Sequence, residues 1–252
     1  MSHLDRARLE GYDAVINLAG ENIAGARWSE TQKKLIRESR VQSTSLLANT
    51  LSVLKSPPKV FISASAVGYY GNCGETAVNE NTYPAKTFLA EVARDWEAAT
   101  QPAATVGIRT VITRFAMVLS PNGGALPKML PLFRLGLGGR LGSGQQYCSW
   151  IAIEDLVRAI QFLMDTPSAS GAFNLTSPNP VTNAEFTKAL GKALHRPTVF
   201  AVPGPVLRLA LGQMAYELLL YGVRALPSRL SELGFRFELD KIEEALGELS
   251  RH

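Results

Sequence analysis

The chain has 252 residues, 46% hydrophobic and 19% charged, the balance of an ordinary globular protein and not of a disordered chain, a fibre or a disulfide scaffold. Lys and Arg number 26 against 22 Asp and Glu, a net charge of +4, which is weak ground for nucleic acid and fits a phosphate-bearing ligand no better than none. The longest apolar runs, such as Leu218–Tyr221, fall far short of the roughly 20 residues of a membrane span.

Taken in chain order, Asp13-Ala14-Val15-Ile16-Asn17 reads as a short buried strand running into the turn Leu18-Ala19-Gly20. Ser29 and Gln32 form a capping-box pattern ahead of a helix from about Glu30 to Leu54, which Pro57-Pro58 ends. Lys59–Ser63 is a second strand, Phe88–Ala99 a second helix and Thr110–Phe115 a third strand. Strand–helix–strand–helix–strand is the signature of a parallel α/β sheet with helices on both faces. A Gly-rich stretch, Gly136–Gly144, precedes a short apolar segment, Trp150–Ile153, and a helix opened by Glu154-Asp155. Ala172–Leu175 is one more strand. Thr182 with Glu185 caps a helix to Leu194, a strand spans Thr198–Val202, and Pro-punctuated helices follow. The texture changes near Asn179, which divides the chain into residues 1–177 and a mostly helical α/β subdomain, residues 178–252.

Chemistry-bearing residues are few. Cys73 and Cys148 have no CxxC spacing, so a reducing, cytoplasmic setting is expected. Met1-Ser2-His3-Leu4-Asp5 lacks a signal pattern. His3, His195 and His252 form no HxxxH or HExxH, so no metal site is expected, and no GxSxG elbow occurs. Gly68-Tyr69-Tyr70-Gly71-Asn72-Cys73-Gly74 matches GxxGxxG after a strand. A dinucleotide fingerprint must open a helix, however, and Glu75–Pro84 is polar and unperiodic.

Several segments together carry a resemblance: Asn17–Ile23 with Arg27-Trp28, Ile62-Ser63-Ala64-Ser65-Ala66-Val67-Gly68-Tyr69-Tyr70-Gly71, Phe88–Glu97, Gly136–Gly139, Ser149–Leu156, Ser177–Asn183 and Leu226–Leu230. The chain resembles, over nearly its whole length, the epimerase-like atypical short-chain dehydrogenases of the NAD-dependent epimerase/dehydratase superfamily, some labelled cell-division inhibitors. The resemblance implies a Rossmann-like sheet that binds NADP, a small C-terminal domain of unknown role and a small carbonyl or alcohol substrate, with neither nucleic acid nor membrane as partner. It also implies that a first strand, a glycine loop and a second strand, about 45–60 residues, precede the point matched by Leu4–Gly11. The start is then assigned too late or the protein is truncated. On that reading NADP binds weakly or not at all, and the Asp13–Asn17 strand becomes a bare edge prone to self-association.

A second departure concerns catalysis. Short-chain dehydrogenases use a Tyr-x-x-x-Lys pair; Thr87 and Glu91 stand in its place here. Candidate catalytic residues are therefore Ser65, Tyr69, Tyr70 and Glu91, with Glu21 a further carboxylate. Candidate cofactor contacts are Asn17, Leu18, Ala19, Gly20, Ser63 and Arg114. Each has a plainer reading: hydrogen-bonded strand serines, aromatic packing, a solvated acidic face at Glu91 and Asp95, and an arginine satisfying carbonyls. A non-catalytic regulatory or interaction role is the alternative to an oxidoreductase or epimerase.

Overall fold

The computed structural model describes residues 4–249; His3 and His252 lie outside them. Four parallel strands form the central sheet: β1 (Ala14–Asn17), β2 (Val60–Ala66), β3 (Arg109–Phe115) and Gly171–Leu175, in the order β1, β2, β3, Gly171–Leu175. Side chains alternate across it as pleating requires. Phe61 packs with Ala48 and Leu51 of helix α1 (Glu30–Leu51) on one face, whereas Val60 and Ile62 pack with Leu156 and Leu163 on the other. The latter two belong to the helix Ile153–Asp165, whose apolar stripe is the strongest of the long helices. The parallel order and two-sided cover are those of a Rossmann-like fold.

The local signals act as their chemistry dictates. The Ser29 hydroxyl accepts from the Gln32 N–H and opens α1; the helix closes at Leu51, three residues short of the sequence expectation, although Leu54 still packs beneath it. Thr87 caps α2 (Phe88–Ala98) through the Ala90 N–H. Two more of its free N–H groups, on Phe88 and Leu89, are taken by the Glu217 carboxylate at 3.3 and 2.8 Å, so residues far apart in sequence close one helix end. The segment Gly68–Gly74 makes a 3₁₀ turn and leads to the short strand Ala77–Val78, not into a helix. Gly71 there has φ +63, and a Cβ on it would stand 2.5 Å from the Ala85 methyl, so the glycine serves a tight crossing.

Two elements ahead of the Gly-rich stretch escape a reading by periodicity. These are the strand Met117–Ser120, which pairs with Trp150–Ala152, and the helix Leu126–Arg134, which contains Pro131. Beyond them Gly139–Leu141 pairs in parallel with Phe200–Val202, two residues shorter than the expected Thr198–Val202. A Cβ on Gly139 would lie 1.5 Å from the Phe200 carbonyl oxygen, so only glycine allows that approach. The C-terminal elements do not stand apart: Leu230 and Phe235 enter the core beneath the sheet, and Ile242 and Leu246 pack with Phe186 and Leu190. Asp155, fully buried, accepts from the Glu238 and Leu239 N–H groups at 2.9–3.1 Å and from Arg158 at 2.6 Å.

The two sheet edges differ. Beside Gly171–Leu175, Arg229 donates to the carbonyls of Ser170 and Ala172. Along β1, no strand pairs with the outer side among the described residues, and Ile16 is 43% exposed. Among the described residues no helix is long and apolar enough to cross a membrane.

Candidate functional site

Open α/β sheets present ligands at the carboxyl ends of their strands, and the sequence-derived candidates gather there. Ser65, Arg114 and Asn174 are register partners across β2, β3 and Gly171–Leu175. Arg114 is 4% exposed. An ion so buried must be paired and hydrogen-bonded, and it is. Its Nε and one terminal nitrogen donate to the two oxygens of Glu97 at 2.8 and 2.9 Å, and the other terminal nitrogen donates to the Tyr70 hydroxyl at 2.9 Å. Burial alone would lower its pKa; the hydrogen bonds and charge of Glu97 outweigh that and hold it above the ordinary range.

The same cluster fixes two catalytic candidates. Ser65 donates to Glu97 at 2.6 Å, and the Tyr70 hydroxyl donates to Asn174 Oδ1 at 2.7 Å. Burial pushes the Tyr70 phenol up to about 12, with Arg114 pulling the other way, so it holds its proton at neutral pH. Glu80 extends the cluster, accepting from the backbone N–H of Asn174 at 3.0 Å. Arg114, a candidate cofactor contact on sequence, thus has its fork occupied by protein. The physical reason is that Glu97 fits the guanidinium bidentately.

Tyr69 is placed differently. Its ring lies against the Arg114 guanidinium, 3.6 Å from centroid to central carbon, and edge-on to Tyr70. The side chain is half-buried and its hydroxyl has no hydrogen-bond partner among the described residues.

Glu91 does not join this group. It is exposed in the first turn of α2, where its charge favours the helix dipole, while Asp95 pairs with Arg37. Glu91, a catalytic candidate on sequence, thus lies in solvent apart from the Ser65–Tyr70–Arg114 cluster, and Asp95 is engaged in an ion pair. Glu21, also exposed, has its main chain held by Arg40 and Ser39.

At the end of β1, buried Asn17 donates to Thr44 at 2.8 Å, and Trp96 donates to the same hydroxyl at 2.9 Å. The Asn17 Oδ1 accepts from the Ala19 N–H, turning the chain outward. Leu18, Ala19 and Gly20 are exposed, leaving this strand end open. Beside Asn17 in register, Ser63 is 1% exposed and its hydroxyl has no partner among the described residues. Such a group costs free energy unless something satisfies it. Against a nicotinamide dinucleotide the fit is therefore partial. The strand end is open and the buried hydroxyl beside it unpartnered, but among the described residues no Gly-rich turn runs from a strand into a helix for the pyrophosphate.

Sequence reasoning missed Glu97, Glu80, Asn174 and Thr44. One signal was available: an arginine inside the apolar strand Thr110–Phe115 demands a carboxylate partner, and Glu97 lies near the end of α2, 17 residues before Arg114. Cys73 and Cys148 are free thiols, the latter pushed up to about 11 by burial. His195 ends the helix Asn183–Ala193 in a left-handed conformation and is exposed. Among the described residues no group of three or more His, Cys, Asp or Glu could hold a metal ion.

Comparison with known proteins agrees with this geometry. Residues 2–176 match the model of the NAD dependent epimerase/dehydratase family, and residues 202–249 match a domain of unknown function, DUF1731. An epimerase family protein of Mycobacterium bovis is 50% identical over 243 residues, covering 96% of this chain and 80% of the relative. The chloroplastic SDR39U1 homolog of Arabidopsis thaliana is 42% identical over 240 residues, covering 94% of this chain and 68% of its own. The crystal structure of human epimerase family protein SDR39U1 (isoform 2) with NADPH superposes with a TM-score of 0.92 at 34% identity, over 96% of this chain and 83% of that one. On sequence and fold alike, the chain belongs to the NAD dependent epimerase/dehydratase family.

Proposed function

We propose that this protein works as an NADP-type oxidoreductase or epimerase-like enzyme on a small carbonyl or alcohol, with weak cofactor affinity. The observation that carries the reading is the open end of β1 beside the unpartnered, buried Ser63 hydroxyl. Support comes from the human relative whose structure contains NADPH. When bound, such a cofactor supplies the hydride. Asn17 through Gly20 and Ser63 would hold its nicotinamide end, and the weakness follows from the lack, among the described residues, of a phosphate-binding glycine turn. Tyr69 is the group left to move a proton: its hydroxyl is free, whereas Ser65 and Tyr70 are committed to Glu97, Arg114 and Asn174.

NADPH fluorescence titration of the 252-residue chain is expected to give weak binding, further reduced by Ser63→Val. In a screen of nucleotide sugars and small carbonyls, Tyr69→Phe is expected to lower NADP-linked turnover by about 10²-fold or more while leaving NADPH affinity unchanged. Tight NADPH binding would refute the weak-affinity element. Turnover unaffected by Tyr69→Phe would remove that residue from the chemistry. A non-catalytic role draws on the absence of the Tyr-Lys pair, with Thr87 spent as a helix cap and Glu91 in solvent; NADPH binding with no turnover across the screen would favour it.

We propose also that the chain self-associates through β1, whose outer edge offers unpaired backbone groups and an exposed Ile16. Light scattering at micromolar concentration is expected to show dimers or larger species, reduced by Ile16→Lys. A stable monomer would refute this.

A further inference from the structure

Charge is unevenly distributed along the chain. Residues 121–153 contain Lys128, Arg134 and Arg140, and residues 186–216 contain Lys188, Lys192, Arg196 and Arg208; neither segment has a single Asp or Glu. The remainder holds 19 Lys and Arg against 22 Asp and Glu, so the net positive charge of the whole protein resides in these two stretches.

The fold brings the two stretches together. Gly139–Leu141 pairs with Phe200–Val202, Arg196 donates to the Arg134 carbonyl at 2.8 Å, and Pro197 covers Gly136. All seven cationic side chains are at exposed positions. Arg134, Lys188 and Lys192 form no ion pair among the described residues.

The same region exposes large apolar side chains. Leu135 is 73% exposed, Val199 79% and Leu209 83%, with Leu132, Leu137 and Phe200 each at least half exposed. They sit on a helix end, a loop, an edge strand and the helix Gly204–Leu211. Single exposed leucines need no explanation, but several together on two stretches that carry cations and no carboxylate of their own do; the nearest acids, Glu185 and those of the helix Ile242–Leu249, flank the helix Asn183–Ala193.

We propose that this pole docks on the surface of an anionic lipid bilayer. The cations complement phospholipid headgroups, and the protruding Leu, Val and Phe side chains enter the boundary below them, as in interfacial protein segments. Nucleic acid would call for aromatic stacking surfaces, and Phe200 is the one aromatic among the exposed apolar residues here. The contact is peripheral, since among the described residues no helix is able to span, and it departs from the resemblance, which implies no membrane partner.

Co-sedimentation of the 252-residue protein with vesicles tests this. Binding is expected to vesicles of phosphatidylcholine with 30 mol% phosphatidylglycerol (about one lipid in three, a strongly anionic surface) and not to phosphatidylcholine alone. Each cation removed should cost about fivefold, so Arg134→Glu with Lys192→Glu should weaken binding by at least about 25-fold. Leu135→Ser with Leu209→Ser should abolish the part that survives high salt. As a readout independent of those variants, Phe200→Trp emission should shift to the blue on adding anionic vesicles. Equal binding to neutral vesicles, no binding to anionic ones, or retention by heparin or an acidic protein with none on vesicles would each overturn the proposal.

Discussion

Arg114→Met is expected to destabilise the fold by about 3–5 kcal/mol, because it strands the largely buried Glu97 carboxylate and removes the donor to the Tyr70 hydroxyl. For a chain of this size each kcal/mol shifts Tm by roughly 2–4 °C, so thermal denaturation should show a fall of roughly 6–20 °C. The double variant Arg114→Met with Glu97→Gln should recover part of that loss, since removing both charges leaves no bare ion. If the double variant were as unstable as the sum of its singles, the pair would not be coupled as its geometry requires.

Asp155→Ala is expected to cost about 3 kcal/mol, the scale of a buried carboxylate that serves charge-assisted hydrogen bonds. Two backbone N–H groups, of Glu238 and Leu239, lose their acceptor, and Arg158 loses one partner. Because Phe235 and Ile242 flank that turn in the core, amide exchange should accelerate from about residue 235 to residue 249 before it does in the central sheet. Asp155→Asn, which keeps one acceptor oxygen, should fall between the two. Uniform acceleration across the chain would show that this turn is not a separate fastening.

The sheet was legible because its strands are short apolar runs bounded by Gly, Pro and capping residues: Ala14–Asn17, Val60–Ala66 and Arg109–Phe115 are each within two or three residues of where periodicity places them. The helix Leu126–Arg134 was not, because Pro127 and Pro131 argue locally against a helix that tertiary contacts of Leu126 and Phe133 sustain. The site divides similarly. Sequence brought Ser63, Ser65, Tyr69, Tyr70 and Arg114 to one end of one sheet. It did not show which were already committed, since that depends on Glu97 and Asn174, 17 and 60 residues from Arg114 along the chain. Glu91 shows the opposite limit: its spacing from Thr87 copies a catalytic pair, while its place on the helix turns it to solvent, which spacing does not show.

The carboxylate that closes the amino end of α2 has a consequence for anion selectivity. A helix amino terminus with free N–H groups is a ready receptor for phosphate. Here Glu217 occupies the Phe88 and Leu89 N–H groups and neutralises the positive end of the dipole. An incoming phosphate would meet a fixed negative charge in place of open donors. The protein thus carries its own competitor at α2, and any phosphorylated ligand is steered away from that helix end.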